Sequence, residues 1–336
     1  MVRTAKSAPY LGNVGSEYSG ISRALSRWRL LLRAGRNNNI CDDDGRGMMN
    51  HDDFPALFLD ADNASNMYQR TFLRLIRGEY IALFFAAIFS MSFMNDIIYY
   101  VLYAGVFVVG LVILIARAHS KPEQWWYRCR ALAESVKTLT WRYMMHAAPF
   151  EGEDAQARTQ FRGQLNTIFR ENIETAKRIT DDWSGNDQIT RAMDAVRVKT
   201  REDRMAYYLK NRVEDQRSWY RRKSKANRNA SRMWVWISGA CYVIAGSMAL
   251  SRIALPSWQY WPIEPLIVVA ASIVGWMQIK KFNELSAAYT VTAHEIGLIK
   301  ALTDDMRSDE QFSEFVNDAE KAFSREHTLW LARQSD

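Results

Sequence analysis

Cysteine is nearly missing from this chain: there are three in 336 residues, too few for a disulfide framework. Proline (7) and glycine (16) are also scarce. That excludes a collagen-like or low-complexity chain and favours helix over sheet and loop. No apolar stretch follows Met1, so no cleavable secretory signal is expected. Catalytic signatures are absent too. There is no phosphate loop, no GxSxG, no HExxH and no CxxC. Cys41, Cys129 and Cys241 stand alone, which leaves a zinc ribbon without ligands. His51, His119, His146, His294 and His327 never pair at metal-binding helical spacing. Asp42-Asp43-Asp44-Gly45 lacks the alternating ligands of a calcium loop. The expectation is a protein without catalytic residues, metal or cofactor.

What the chain has is aromatic and basic. It carries 12 Trp, 15 Tyr and 15 Phe, with 48% hydrophobic residues and a net charge of +7. This apolar content excludes a disordered chain. The mean hydropathy of −0.28 looks like that of a soluble protein, but it averages two unlike populations. Ile97–Ala116 is a twenty-residue run without a charge, the length of a bilayer core. Twelve of its residues are Ile, Val or Leu, each favouring insertion by about 0.3 to 0.6 kcal/mol. Ile81–Met94 precedes it across Asn95-Asp96. The pattern returns as Met233–Leu250 and Leu266–Ile279, joined by a loop with Trp258, Tyr260 and Trp261, the aromatic type found at membrane interfaces.

These runs predict an all-α membrane protein with two transmembrane helical hairpins. Its four spans fall at about 80–95, 97–116, 233–251 and 263–279, above a large cytoplasmic helical bundle. Arg70, Arg74 and Arg77 precede the first span; Arg117 and Lys121 follow the second. Seven basic residues between Arg217 and Arg232 precede the third span, and Lys280-Lys281 ends the fourth. The positive-inside rule then puts both termini and the central segment in the cytoplasm. Tyr68 and Tyr220 each lie thirteen residues before an apolar run, which suggests a duplication. The expected organisation is an extension over 1–60, a first two-span unit over 61–195 and a second over 196–336. In the extension, Ile21, Leu25, Trp28 and Leu32 share a face beside several arginines. That fits a helix lying on an anionic leaflet or an Arg-rich presequence.

After the fourth span, Phe282, Leu285, Tyr289, Thr292, Ile296 and Ile299 form an a/d seam. The spacing predicts that this span runs unbroken into the bundle. Gly105, Gly110, Gly239 and Gly246 are candidates for close helix approach. Asp96 and Glu264 sit at the outer ends of the hairpins, where acids at a pore mouth attract cations. The basic-aromatic stretch before the third span offers Arg212, Arg217, Trp219, Tyr220, Arg221, Arg222, Lys225 and Arg228. Aromatic faces stack bases, and Arg or Lys pairs with phosphate. These eight are the candidate nucleotide site. Headgroup contact and membrane orientation explain the same residues without a ligand.

The pattern Tyr208-Leu209…Arg212…Gln216…Trp219-Tyr220…Lys223, a hairpin, then Asn283-Glu284-Leu285…Tyr289…Glu295 and Arg325-Glu326-His327…Trp330 resembles the SLATT family. Those are two-transmembrane effectors associated with nucleotide-second-messenger systems. Residues 200–336 carry the resemblance best. The first half looks like a diverged copy, giving a four-span form like the Hailong-type effectors. The resemblance implies an oligomeric effector of antiphage defence in the bacterial inner membrane, with a tetramer the first expectation. It implies a pore that depolarises the infected cell in abortive infection. Control would come from a nucleotide or single-stranded oligonucleotide made by a partner nucleotidyltransferase. A non-conducting membrane scaffold and an organellar membrane protein with a presequence remain as alternatives.

Overall fold

A computed structural model describes residues 49–179, 187–301, 306 and 308–332, with side chains as far as residue 324. Among the described residues every regular element is a helix, and three helical stretches are long and apolar enough to cross a membrane. The basic stretch around Ile21–Leu32 lies outside the described residues, as does Cys41.

The first unit is built from two long rods. α1 (Ala56–Phe89) runs 34 residues without a break, about 51 Å at helical rise. α2 (Ile97–Ser120) and α3 (Pro122–Met144) return beside it, end to end. The contacts fix the antiparallel register. Tyr99 donates its hydroxyl to the Phe89 carbonyl at 2.6 Å, Arg117 reaches Glu79 at 2.7 Å, Phe72 packs on Trp126, and Arg130 reaches Asp62 at 3.0 Å. The break between α2 and α3 is Lys121, in the left-handed region at φ 42. Pro122 then opens α3, a position where its missing N–H costs nothing.

Short helices α4 (Asp154–Glu171), α5 (Ile173–Ala176), α6 (Arg191–Arg197) and α7 (Arg201–Tyr208) connect the units. A wide π turn at Leu209–Glu214 leads into α8 (Asp215–Ala254), 40 residues long. α9 (Ile263–Lys280) and α10 (Phe282–Ala301) return beside α8 as α2 and α3 do beside α1. Ser224 meets Ser286 and Thr290, the latter at 2.7 Å; Tyr220 packs on Tyr289; and Lys300 reaches Glu214 at 2.7 Å. α11 (Asp309–Ala332) lies against α3.

Three expectations change in detail. The fourth apolar run does not continue unbroken: Lys281 stands at φ 47 between α9 and α10, so the seam from Phe282 starts on a new helix. The first run is helical only to Phe89. Residues 90–96 make the turn, with Ser92 at φ 50. The glycines divide. A Cβ on Gly110 would meet Ala82 at 3.7 Å, whereas Gly105, Gly239 and Gly246 face open space. The tight approaches are at Gly78, beside Ile113, and Gly275, where a Cβ would lie 2.5 Å from the Tyr80 hydroxyl. On α8 the buried small residues are Ser224, Ser231, Ser238 and Ala245, seven apart. That is the spacing of one helix face.

Large apolar side chains over Ile97–Ile115 and Val235–Leu255 stand exposed. The most apolar window of the Ile97–Met144 stretch is only 6% buried within the chain. So wide an apolar surface belongs in lipid or against other chains. The packed core occupies the other half of the rods, where Leu132, Trp141, Tyr143, Phe150, Phe161, Tyr208, Phe312 and Val316 meet. Arg197, 1% exposed, closes the turn after α3. It donates to the carbonyls of Tyr143, Phe150 (3.0 Å) and Gly152 (3.2 Å), and to Asp154 at 2.8 Å. Beside it, burial and then the charges of Arg197 and Arg204 push the His146 imidazole down to about 4.

Candidate functional site

The eight candidate nucleotide residues share a stretch of chain but not a surface. Arg212 lies on the π turn and points into the core, 2% exposed. Its Nε and Nη2 donate to Glu320 at 2.8 and 2.7 Å, and the guanidinium stacks between Trp141 and Phe323. Tyr208 donates to the same carboxylate at 2.9 Å. An arginine held by both carboxylate oxygens and two rings is a structural pin, and it presents no fork to a ligand. Tyr220 is likewise buried, edge to face with Trp219 and tilted on Tyr289. Both residues are thereby withdrawn from an exposed nucleotide surface. The reason is the helical turn: every third or fourth residue of a helix packed on one side must face the neighbour.

Arg217 and Trp219 are half-buried. Arg217 lies over Gly297, whose missing side chain makes the room, with Glu214 at 3.9 Å. Trp219 stands edge-on to Tyr289, with Lys223 over its face at 5.7 Å. The remaining four, Arg221, Arg222, Lys225 and Arg228, are exposed. Arg221, Lys225 and Arg228 fall four and three residues apart, so they form one stripe, which Arg232 continues with four more. This stripe ends where the exposed apolar surface of α8 begins. It can attract anions over a Debye length, about 10 Å at moderate salt. Its side chains stand exposed along one helix face.

A further basic-aromatic cluster, Trp125, Trp126, Tyr127, Arg128 and Arg130 on α3, makes its contacts within the chain. Trp125 lies between Arg128 and Arg178, at 5.0 and 4.2 Å. Trp126 stacks on Tyr127, and Arg130 is held by Asp62 and Glu134. Asp96 caps α2, accepting from the Ile98 N–H at 2.9 Å. Glu264 is exposed in the first turn of α9. The two acids therefore hold equivalent posts at the starts of the returning helices, where a negative charge offsets the helix dipole. Among the described residues no cluster of His, Cys, Asp and Glu is arranged to hold a metal.

Sequence reasoning missed Glu320 and the Arg77–Trp276–Lys280 contact described below. Glu320 lies 108 positions from Arg212, and Trp276 about 200 from Arg77, so no local spacing flags either pairing; Lys280 is four residues from Trp276 on the same helix. The Ser224–Ser231–Ser238 spacing was visible and would have marked the packed face of α8.

Two long hairpins with exposed apolar halves, each returning through a left-handed lysine, define a tandem helical membrane protein. Residues 55–205 match SLATT_3, described as SMODS and SLOG-associating 2TM effector domain 3. Residues 208–330 match SLATT_1, the corresponding effector domain 1. The chain belongs to the SLATT family, as two such domains in tandem. SLATT domains are effectors associated with SMODS/SLOG antiphage systems, which include nucleotidyltransferases. No curated protein and no solved structure matches the chain.

Proposed function

We propose that this protein is a non-enzymatic, oligomeric membrane effector of a nucleotide-signalled antiphage system. Its four spans form an ion pathway in the bacterial inner membrane, with both termini in the cytoplasm. Its cytoplasmic helices read a nucleotide or oligonucleotide made by a partner nucleotidyltransferase. Opening of the pathway depolarises the infected cell. The observation that carries this reading is the exposed stripe Arg221–Lys225–Arg228, joined to Arg222 and set at the inner end of an apolar SLATT helix.

An anion bound there would act between copies of the chain, because these cations stand exposed on one helix face where a neighbouring copy can meet them. Ligand would hold basic faces of neighbouring subunits together, and its loss would let them repel. Such control requires different ligand affinity in the open and closed states, since equal affinity shifts nothing. Arg217 and Trp219 flank the stripe and would supply the edge of a stacked base.

The test reconstitutes the full chain in liposomes and follows ion flux as synthesised nucleotide is added or withdrawn. A nucleotide-dependent flux is expected, and absence of flux under every condition would make the protein a scaffold. Arg221→Glu with Arg222→Glu reverses two charges and shifts the net charge by four. It should lower nucleotide affinity at least about a hundredfold, with membrane insertion intact. Unchanged binding by calorimetry would remove the stripe from the site.

A further inference from the structure

Three cations from both units converge at the inner edge of the apolar zone. Arg77 of α1 lies four residues before Ile81, and Lys280 directly follows the apolar run that ends at Ile279. The Arg77 guanidinium and the Lys280 ammonium both lie on the Trp276 ring, at 5.2 and 5.3 Å from its centroid. The charges acting on Lys280 are Arg77 and Lys223, both of its own sign. Arg117, near Arg77 on the neighbouring helix, has a different environment, because Glu79 holds it at 2.7 Å. Neither Arg77 nor Lys280 forms an ion pair among the described residues.

One turn beyond Arg77, Tyr80 brings its hydroxyl against Gly275, the neighbour of Trp276. No side chain other than glycine fits that position with Tyr80 where it is. The hydroxyl makes no hydrogen bond to another described residue. A planar guanidinium fork, an ammonium and a free hydroxyl are the donor set that phosphate oxygens accept. The depth is that of headgroups, where long basic side chains and indole rings settle. Arg77 is exposed while Lys280 and Lys223 are half-buried; like charges gathered this way repel one another, and an anion among them would offset that repulsion.

We propose that Arg77, Tyr80 and Lys280, backed by Lys223, bind the phosphate of an anionic ligand and so bridge the first SLATT unit to the second. The proposal rests on the membrane placement of the hairpins and not on conduction. Phosphate can arrive as a lipid headgroup or as a soluble anion, and the two are separable.

The purified full chain in neutral detergent is titrated with dioleoylphosphatidylglycerol, dioleoylphosphatidylcholine and inorganic phosphate, and retention is read by native mass spectrometry. Retention of the glycerol lipid over the choline lipid assigns a lipid headgroup. Displacement of that lipid by millimolar phosphate assigns a soluble anion as a second occupant. Equal retention of both lipids, with no effect of phosphate, overturns the proposal. Arg77→Gln and Lys280→Gln should each weaken retention about tenfold. Arg74→Gln, an exposed cation one turn earlier, should change it less than about twofold. Equal losses in all three overturn the site in favour of general surface charge. If either glutamine variant lacks a cooperative thermal transition, Arg77→Lys and Lys280→Arg replace it. These must retain the lipid, and their failure to do so also counts against the proposal.

Discussion

In the first unit the return helix leaves Lys121 and sinks into the core: Cys129, Leu132, Ala133, Val136, Leu139, Trp141, Tyr143 and Met144 of α3 are all buried. In the second unit α10 leaves Lys281 and buries only Ser286, Ala293 and Ile296. The backbone plan is the same, a long outgoing helix, a hairpin, a left-handed lysine and a return along the first helix. Side-chain size makes the difference. α3 carries large apolar groups toward α1, α4, α6 and α11, while α10 meets α8 through hydroxyls, small residues and one aromatic cluster, Tyr289 against Trp219 and Tyr220. A duplicated design has thus diverged into one unit that anchors the core and one slender unit. The slender one leaves the basic face of α8 open, which is where the proposed ligand surface lies.

Removing the pin that ties the second unit to that core should have the largest effect. Glu320 is fully buried, and Glu320→Ala would strand the Arg212 guanidinium among Trp141, Tyr208 and Phe323. Breaking one side of a buried ion pair costs about 3–5 kcal/mol. The expected outcome is a large drop in the thermal midpoint of the detergent-purified chain. Proteolysis of residues 309–332 should accelerate as well. A midpoint within a degree or two of wild type would mean that α11 docks by its phenylalanines alone.

The two return helices can then be compared directly. Leu132 on α3 is 1% exposed, and Leu132→Ala should cost about 2–5 kcal/mol through lost transfer energy and a residual cavity. Leu285 on α10 is half-buried, so Leu285→Ala should cost about 1 kcal/mol. Equal losses, read from thermal midpoints, would show that the second unit is as firmly packed as the first and that the contrast drawn here is wrong.

Much of this architecture was legible because it depends on local quantities. Run length and charge mark Ile97–Ala116, Met233–Leu250 and Leu266–Ile279 as apolar helices, and those tests use neighbouring residues only. The end of the first helix at Phe89 and the break at Lys281 were not legible. A lysine in the left-handed region carries no local signal such as glycine would give. The site was half legible. Charge and aromatic content pointed to the right stretch of α8, yet could not separate Arg212, which faces Glu320, from Arg221, which faces solvent. That separation needs the partner 108 residues away. Arg77 and Lys280 were noticed only as orienting charges, because their meeting on Trp276 depends on how the two units pack.

The smallest effect tests whether the two lysine breaks are equivalent. Lys121 and Lys281 have nearly the same conformation, φ 42 and ψ 51 against φ 47 and ψ 42. An L-residue held left-handed costs about 1–2 kcal/mol, while glycine in its place pays about 0.5–1 kcal/mol more backbone entropy. Lys121→Gly and Lys281→Gly should therefore each stabilise the chain, by about 0.5–1 kcal/mol at most. The thermal midpoint should rise slightly and by similar amounts in the two variants. Pro122 follows Lys121 and restricts it further, whereas Phe282 follows Lys281. If only the first variant gains, the breaks differ in their constraint. The second would then be a softer joint, matching the thinner packing of α10. If both variants lose stability, the lysine side chains themselves hold the returning helices at the membrane edge, and the resemblance between the units extends from backbone to function.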